Sequence, residues 1–129
     1  MDDAYAAKPW LKHYDRTVPE KLAYPSISYA ELLKKAFREV PSRVAVQYMG
    51  RDIPYAELDE LSNRFARFLI GKGCRPGDVV GCHLPNIPAA YIASAGIQKA
   101  GCVFTGVSPL LTADELVYQL NDSGAQVLV

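Results

Sequence analysis

The apolar positions of this chain repeat with two periods, and the switches between them mark its elements. Between residues 56 and 70, Leu58, Leu61, Phe65, Phe68 and Leu69 recur at helical spacing, while Glu57, Asp59, Glu60, Arg64 and Arg67 fill most of the other places. That pattern predicts a helix with one face on a core and the other in water. Ser28 followed by Glu31 is a capping box, which predicts a helix over Tyr29–Glu39 that Pro41 closes. Residues 44–49 read as a strand, with Gly50, Arg51 and Asp52 turning into a short partner that ends near Pro54. Gly71 and Gly73 end the second helix, and Arg75-Pro76-Gly77-Asp78 has the residues of a type II turn. A strand over 79–84 follows, then Asn86 as the expected N-cap of a small-residue helix over 87–100 that Gly101 terminates. Residues 102–107 make the next strand. Thr112 with Glu115 forms a second capping box, opening a helix through Leu120, and 125–129 is a final apolar strand.

Strands alternating with helices across short connections predict an α/β fold, a mainly parallel sheet built from crossover helices. Two regions result: an N-terminal arm over 1–27 and a partial α/β subdomain over 28–129. In the arm, Pro9, Pro19 and Pro25 resist regular helix, while Trp10, Leu11, Tyr14, Val18, Leu22 and Tyr24 provide apolar anchors. The expectation is an arm wrapped over the core, with Trp10 as a packing anchor. A bare apolar strand such as 125–129 is normally paired or covered by further chain. The subdomain is therefore expected to be a truncated one, and its open edge is expected to make the isolated chain self-associate.

Composition narrows the function classes. Half of the 129 residues are hydrophobic, and fourteen basic side chains balance fourteen acidic ones. Such a chain folds, and its zero net charge gives no general field for gathering nucleic acid. Cys74, Cys82 and Cys102 are odd in number and lack CxxC spacing, as expected for buried thiols in a reducing compartment. The opening, with Asp2 and Asp3, carries no signal-peptide core, so a cytoplasmic location is expected. The most apolar run, 89–97, falls well short of the ~20 residues that span a bilayer. Only peripheral membrane contact remains open.

Candidate chemistry is sparse. Neither GxGxxG nor GxxxxGK[ST] is present, and Pro88 removes an N–H that could otherwise face an anion. Asp59-Glu60 and Asp114-Glu115 are adjacent on helices, so neither pair shares a face for acid/base work. His13 and His83 lie far apart in sequence and assemble neither a triad nor a metal set. No residue is assigned a catalytic, cofactor-binding or metal-ligating role.

Specific strings go further. Residues 73–86, reading GCRPGDVVGCHLPN, resemble the GxxxGDxVxxxLPN segment of adenylate-forming (AMP-binding) synthetases. Lys99-Ala100-Gly101-Cys102-Val103 is similar to the family's KAGAV element. Pro109, Thr112, Glu115, Leu116, Gln119, Leu120 and Asp122-Ser123-Gly124-Ala125 match its P-x-x-T-x-x-E-L-x-x-Q-L-x-D-S-G-A segment. Tyr55-Ala56-Glu57-Leu58 looks like its T-Y-x-E-L helix start, with Pro54 in place of the capping Thr. The matches run in order over 40–129, and the arm looks like the opening of long-chain fatty acyl-CoA ligases.

The resemblance implies that a full-length protein would activate a fatty carboxylate with Mg·ATP to acyl-adenylate and pass it to CoA. The family's Y-T-S-G-T-T-G-x-P-K-G phosphate loop and its C-terminal lysine do not occur in these 129 residues. The chain alone is therefore expected to be inactive and to bind none of ATP, Mg or CoA. Other acyl- or aryl-CoA synthetases of the superfamily, or a stand-alone non-catalytic binding or interaction module, are the alternatives.

Overall fold

The computed structural model describes residues 5–129, so the acidic opening at Asp2 and Asp3 lies outside the described residues. The elements run α1 (Tyr29–Glu39), β1 (Val44–Tyr48), β2 (Arg51–Pro54), α2 (Tyr55–Gly71), β3 (Val79–Cys82), α3 (Pro88–Lys99), β4 (Val103–Gly106), α4 (Ala113–Ser123) and β5 (Ala125–Leu128). Both expected capping boxes form. Ser28 accepts from the Glu31 N–H while Glu31 accepts from the Ser28 N–H, and Thr112 and Glu115 do the same. At α2, Pro54 offers no capping side chain. Backbone carbonyls take its place: the Tyr55 N–H donates to Arg43 O and the Ala56 N–H to Pro41 O, each at 2.9 Å.

Two expectations about local structure are corrected. The hairpin turn is Met49-Gly50, with both residues at positive φ (48° and 81°), the two-residue geometry whose twist matches paired strands. Arg51 and Asp52 consequently belong to β2, opposite Tyr48 and Gln47. Asn86 does not cap α3. The N-cap is Ile87, with no side-chain bond, and Pro88 starts the helix at its first position. The tight bond from the Ile87 N–H to Pro85 O, 2.7 Å, bends the loop there.

The parallel sheet has the order β4-β3-β5. It contains three strands, because β2 pairs antiparallel with β1 in a separate two-stranded sheet and makes no ladder with β3. Alternation along β3 separates the two faces. Val80 is fully buried in a cluster with Ala66 and Leu69 of α2 and Ile97 of α3. A Cβ on the neighbouring Gly81 would instead meet Leu128 at 3.0 Å and Leu120 of α4 at 3.3 Å. A second cluster, Phe37, Val46, Ile53 and Leu58, seats the hairpin on α1 and α2.

The buried face of α2 is rotated from the periodicity reading. Leu58, Ser62, Ala66 and Leu69 are buried, whereas Phe68 is 53% exposed. The reason is α3, whose backbone approaches α2 so closely at Gly96 that small residues occupy the contact. Burial of β5 is also less than expected: Leu128 is exposed and α4 carries no buried residue. The arm differs most. It holds a short 3₁₀ turn at Pro9–His13, with Tyr5 edge-on to Trp10 at 5.8 Å. None of residues 5–28 is buried, and Trp10 is 39% exposed. Local bonds such as Leu11 N–H to Lys8 O and Val18 N–H to Asp15 O shape it.

The α2–α3 contact yields a paired prediction. A Cβ at Gly96 would stand 2.8 Å from Phe65 Cδ1 and 2.9 Å from the Ser62 carbonyl oxygen, whereas one at Gly71 meets nothing within 4 Å. The ring can move, but the backbone oxygen cannot. Gly96→Ala should lower stability by about 1–2 kcal/mol, because overpacking outweighs the ~1 kcal/mol gain in helix propensity. Gly71→Ala should be neutral or stabilising by up to ~1 kcal/mol. Denaturant midpoints of the two variants moving in the same direction would contradict this packing.

Candidate functional site

In an open parallel sheet the position for a ligand is the carboxyl edge of the strands, where consecutive crossovers part to opposite faces. The chain from β3 goes through α3 to β4 on one side, and from β4 through α4 to β5 on the other. A cavity of about 540 Å³ lies at that edge, between the ends of β3 and β4. Cys82, Leu84, Ala90, Phe104 and Val107 provide apolar walls, and Asn86 and Ser108 are the polar side chains of its lining. The ladder continues past the strands there. The Val107 N–H donates to Cys82 O at 2.9 Å, and the His83 N–H to Val129 O at 2.7 Å.

The chemistry of this edge is limited. Ser108 Oγ is occupied by the Leu110 N–H at 3.2 Å. Burial pushes the Cys82 thiol up from its usual range, partly offset by a bond from the Leu84 backbone, so it stays protonated near neutrality and is a poor nucleophile. Cys102 is pushed up mainly by burial as well, and Cys74, Cys82 and Cys102 are all free and buried. His83, on the other face of the sheet from Cys82, holds Nδ1 buried without a hydrogen-bond partner among the described residues. No cationic side chain lines the cavity, and the start of α3 offers Pro88 in place of an N–H. These residues do not fit a triphosphate. Among the described residues no group of three His, Cys, Asp or Glu is placed to hold a metal ion, and no helix is long and apolar enough to cross a membrane.

A polar cluster that the periodicity missed sits on the other side of α3. Lys99 Nζ, with its side chain only 3% exposed, reaches Asp59 Oδ1 at 2.5 Å, Ser62 Oγ at 2.8 Å and the Asp59 carbonyl at 3.1 Å. It also lies 4.5 Å above the Phe37 ring. The sequence reading placed Asp59 on a solvated face. The available signal was Ser62, a hydroxyl inside an otherwise apolar helix stripe. Burial holds Lys99 below its ordinary range, the bond and charge of Asp59 oppose that, and the charge of Lys34 adds to it. Glu60 and Arg64, four apart on α2, form no ion pair among the described residues, and both side chains are exposed.

The family model described as "AMP-binding enzyme" matches residues 26–129. A long-chain-fatty-acid–CoA ligase of Bacillus subtilis is 30% identical over 95% of this chain and 22% of its own length. One of Salmonella typhimurium is 36% identical with the same coverage. Tyrocidine synthase 2 of Brevibacillus parabrevis is 35% identical over 82% of this chain and 3% of its own. Among solved structures, the Klebsiella oxytoca NpsA N-terminal subdomain in complex with 3-hydroxyanthranilyl-AMSN aligns with a TM-score of 0.76 at 26% identity, covering 78% of this chain and 26% of that one. The chain thus spans about a fifth of the length of the curated ligases it matches.

The Lys99 cluster predicts an asymmetry. Asp59→Asn leaves an ammonium buried without its counter-charge and should cost about 2–3 kcal/mol, below the 3–5 of a fully buried pair because Asp59 is 39% exposed. Lys99→Met removes the buried charge itself and should change stability by less than about 1 kcal/mol. Because the folded value of Lys99 lies below its ordinary 10.5, the unfolded chain binds the proton more tightly. Stability of the parent should therefore rise as pH climbs through the interval just below 10.5, relative to Lys99→Met. Denaturant unfolding of the three proteins between neutral and alkaline pH checks both; equal costs for the two substitutions would refute the assignment.

Proposed function

Because the chain belongs to the AMP-binding enzyme family, we propose that it forms the N-terminal part of an ATP-dependent acid–thiol ligase acting on long-chain fatty acids. One observation carries the substrate class. The long-chain-fatty-acid–CoA ligases align over 95% of the chain, whereas the peptide synthetases align over 82%, a span about as long as the 26–129 family match. The difference is about 13% of the chain, and in this reading that added length falls within the arm and sets the chain with the fatty acid ligases. The three-stranded parallel sheet and the Thr112–Glu115 helix lie within residues 26–129, the span that the family model matches.

In this reading the whole protein joins a fatty carboxylate to the α-phosphate of ATP, releasing pyrophosphate, and then transfers the acyl group to the thiol of CoA with release of AMP. Residues 5–129 contribute no reacting group. They supply a rigid parallel sheet whose carboxyl edge presents an apolar wall of Leu84, Phe104 and Val107. The groups that hold ATP, Mg and CoA are assigned to the remaining four-fifths of the relatives' length. A second proposal concerns this chain by itself. Among the described residues the outer edges of β4 and β5 have no neighbour in the sheet order, and an unpaired edge templates association.

The substrate class is tested by ATP–pyrophosphate exchange in the whole protein. Exchange driven by palmitate, and not by amino acids or aryl acids, is the expected outcome; exchange driven by an amino acid and not by palmitate would overturn the reading. Residues 1–129 alone should show no exchange above a no-protein control. Sedimentation of the same chain should show an average mass rising with concentration, and a clean monomer throughout would count against pairing through the edges.

A further inference from the structure

A second cavity, of about 280 Å³, opens between α1 and α2 and is lined by Lys34, Arg38, Asp59 and Asn63. None of these lines the carboxyl-edge cavity. Its charge balance differs from that of the chain, which is neutral overall. The carboxylate of Asp59 is engaged by Lys99 from the buried side, so the one acid in the lining has its charge matched. Lys34 and Arg38 form no ion pair among the described residues. The acid nearest Lys34 on its helix, Glu31, is hydrogen-bonded to Ser28 in the capping box and feels the Lys34 charge, but it forms no ion pair with it among the described residues and does not line the cavity. Lys34 adds to the positive field at Lys99. Two cations therefore face an opening whose one anion is already neutralised, with the Asn63 amide beside them.

The geometry favours an acceptor ligand. Arg38 Nε donates to the Lys34 carbonyl at 3.3 Å, which anchors the guanidinium stem to the last turn of α1 and leaves its terminal nitrogens for another acceptor. A planar guanidinium and an ammonium on one helix face suit the oxygens of a tetrahedral anion. We propose that this cavity is a binding site for a small oxyanion of the phosphate class, held by Lys34, Arg38 and Asn63. The site is independent of the ligase reading, since it shares no residue with the carboxyl edge. Its chemistry serves free phosphate, a soluble phosphomonoester or a phosphorylated lipid headgroup alike.

The test is an NMR titration of residues 1–129 with inorganic phosphate against sodium chloride at matched ionic strength, read at the amides of Arg38 and Asn63. Saturable shifts with phosphate that chloride does not produce are expected. Arg38→Gln and Lys34→Gln should each weaken the affinity about tenfold, the loss of one charge-assisted contact. Lys35→Gln, on the same helix but paired with Glu39 and outside the lining, should leave it unchanged. No saturable response, or a loss as large in Lys35→Gln as in Arg38→Gln, would overturn the site. Parallel titrations with glycerol 3-phosphate and with vesicles containing phosphatidate separate the sources. Retention by the vesicles without any response to either soluble probe would also overturn it.

Discussion

One ammonium withdrawn from water at the junction of three helices constrains most of this chain. Lys99 leaves the last turn of α3, meets Asp59 and Ser62 on α2 and lies over Phe37 of α1. A buried cation is tolerated only while its partners stay within bonding distance, so any separation of the helices is penalised more steeply than loss of apolar contact would be. The contact is reached because Gly96, one turn earlier, lets the α3 backbone approach the Ser62 carbonyl. Two cores adjoin that junction. Val46 and Ile53 of the hairpin rest against Phe37 and Leu58, and Val80 of the central strand against Leu69 and Ile97.

The two edges of the parallel sheet are held differently. At the amino edge the loops before β3 and β4 are tied together, with the Gly77 N–H on Gly101 O and the Val103 N–H on Asp78 O, each at 2.9 Å. The left-handed φ of 94° at Gly77 belongs to the turn that allows this approach. At the carboxyl edge the loops diverge around the cavity of Leu84, Phe104 and Val107. A scaffold tied at one edge and open at the other can present a surface to a larger body without being reshaped by it.

Most of the backbone was legible because its signals are local. Both capping boxes, the Arg75–Asp78 turn and the order of strands and helices follow from residues three or four apart. The start of α3 differs because Asn86 competes with Pro88, and a fixed proline φ two residues later moves the cap to Ile87. The α2 face was misread because periodicity assigns burial by hydrophobicity, whereas close approach to α3 favours Ser62 and Ala66 over Phe68. Lys99 was beyond local reasoning altogether: its partner lies forty positions away in sequence, and a lysine on a helix end reads as solvated until the opposing helix is placed. The arm showed the reverse failure. Its aromatic residues read as anchors, yet prolines deny it regular pairing, and its side chains stay exposed.

The strand order β4-β3-β5 also bears on the closures needed for assembly. The central strand can pair with β4 as soon as α3 has folded between them, a short loop to close, and the α2–α3 junction is available by then. Its other side stays vacant until the chain has passed through β4 and α4 and come back across the sheet, so the register Val79 to Ala125 and Val80 to Val127 forms only after the longer closure. During synthesis the helical junction and half the sheet can thus exist while one flank of β3 waits unpaired. Gly81, whose missing side chain leaves room for Leu128 and Leu120 on the α4 face, lets β5 and α4 settle there without side-chain bulk that would have to be displaced.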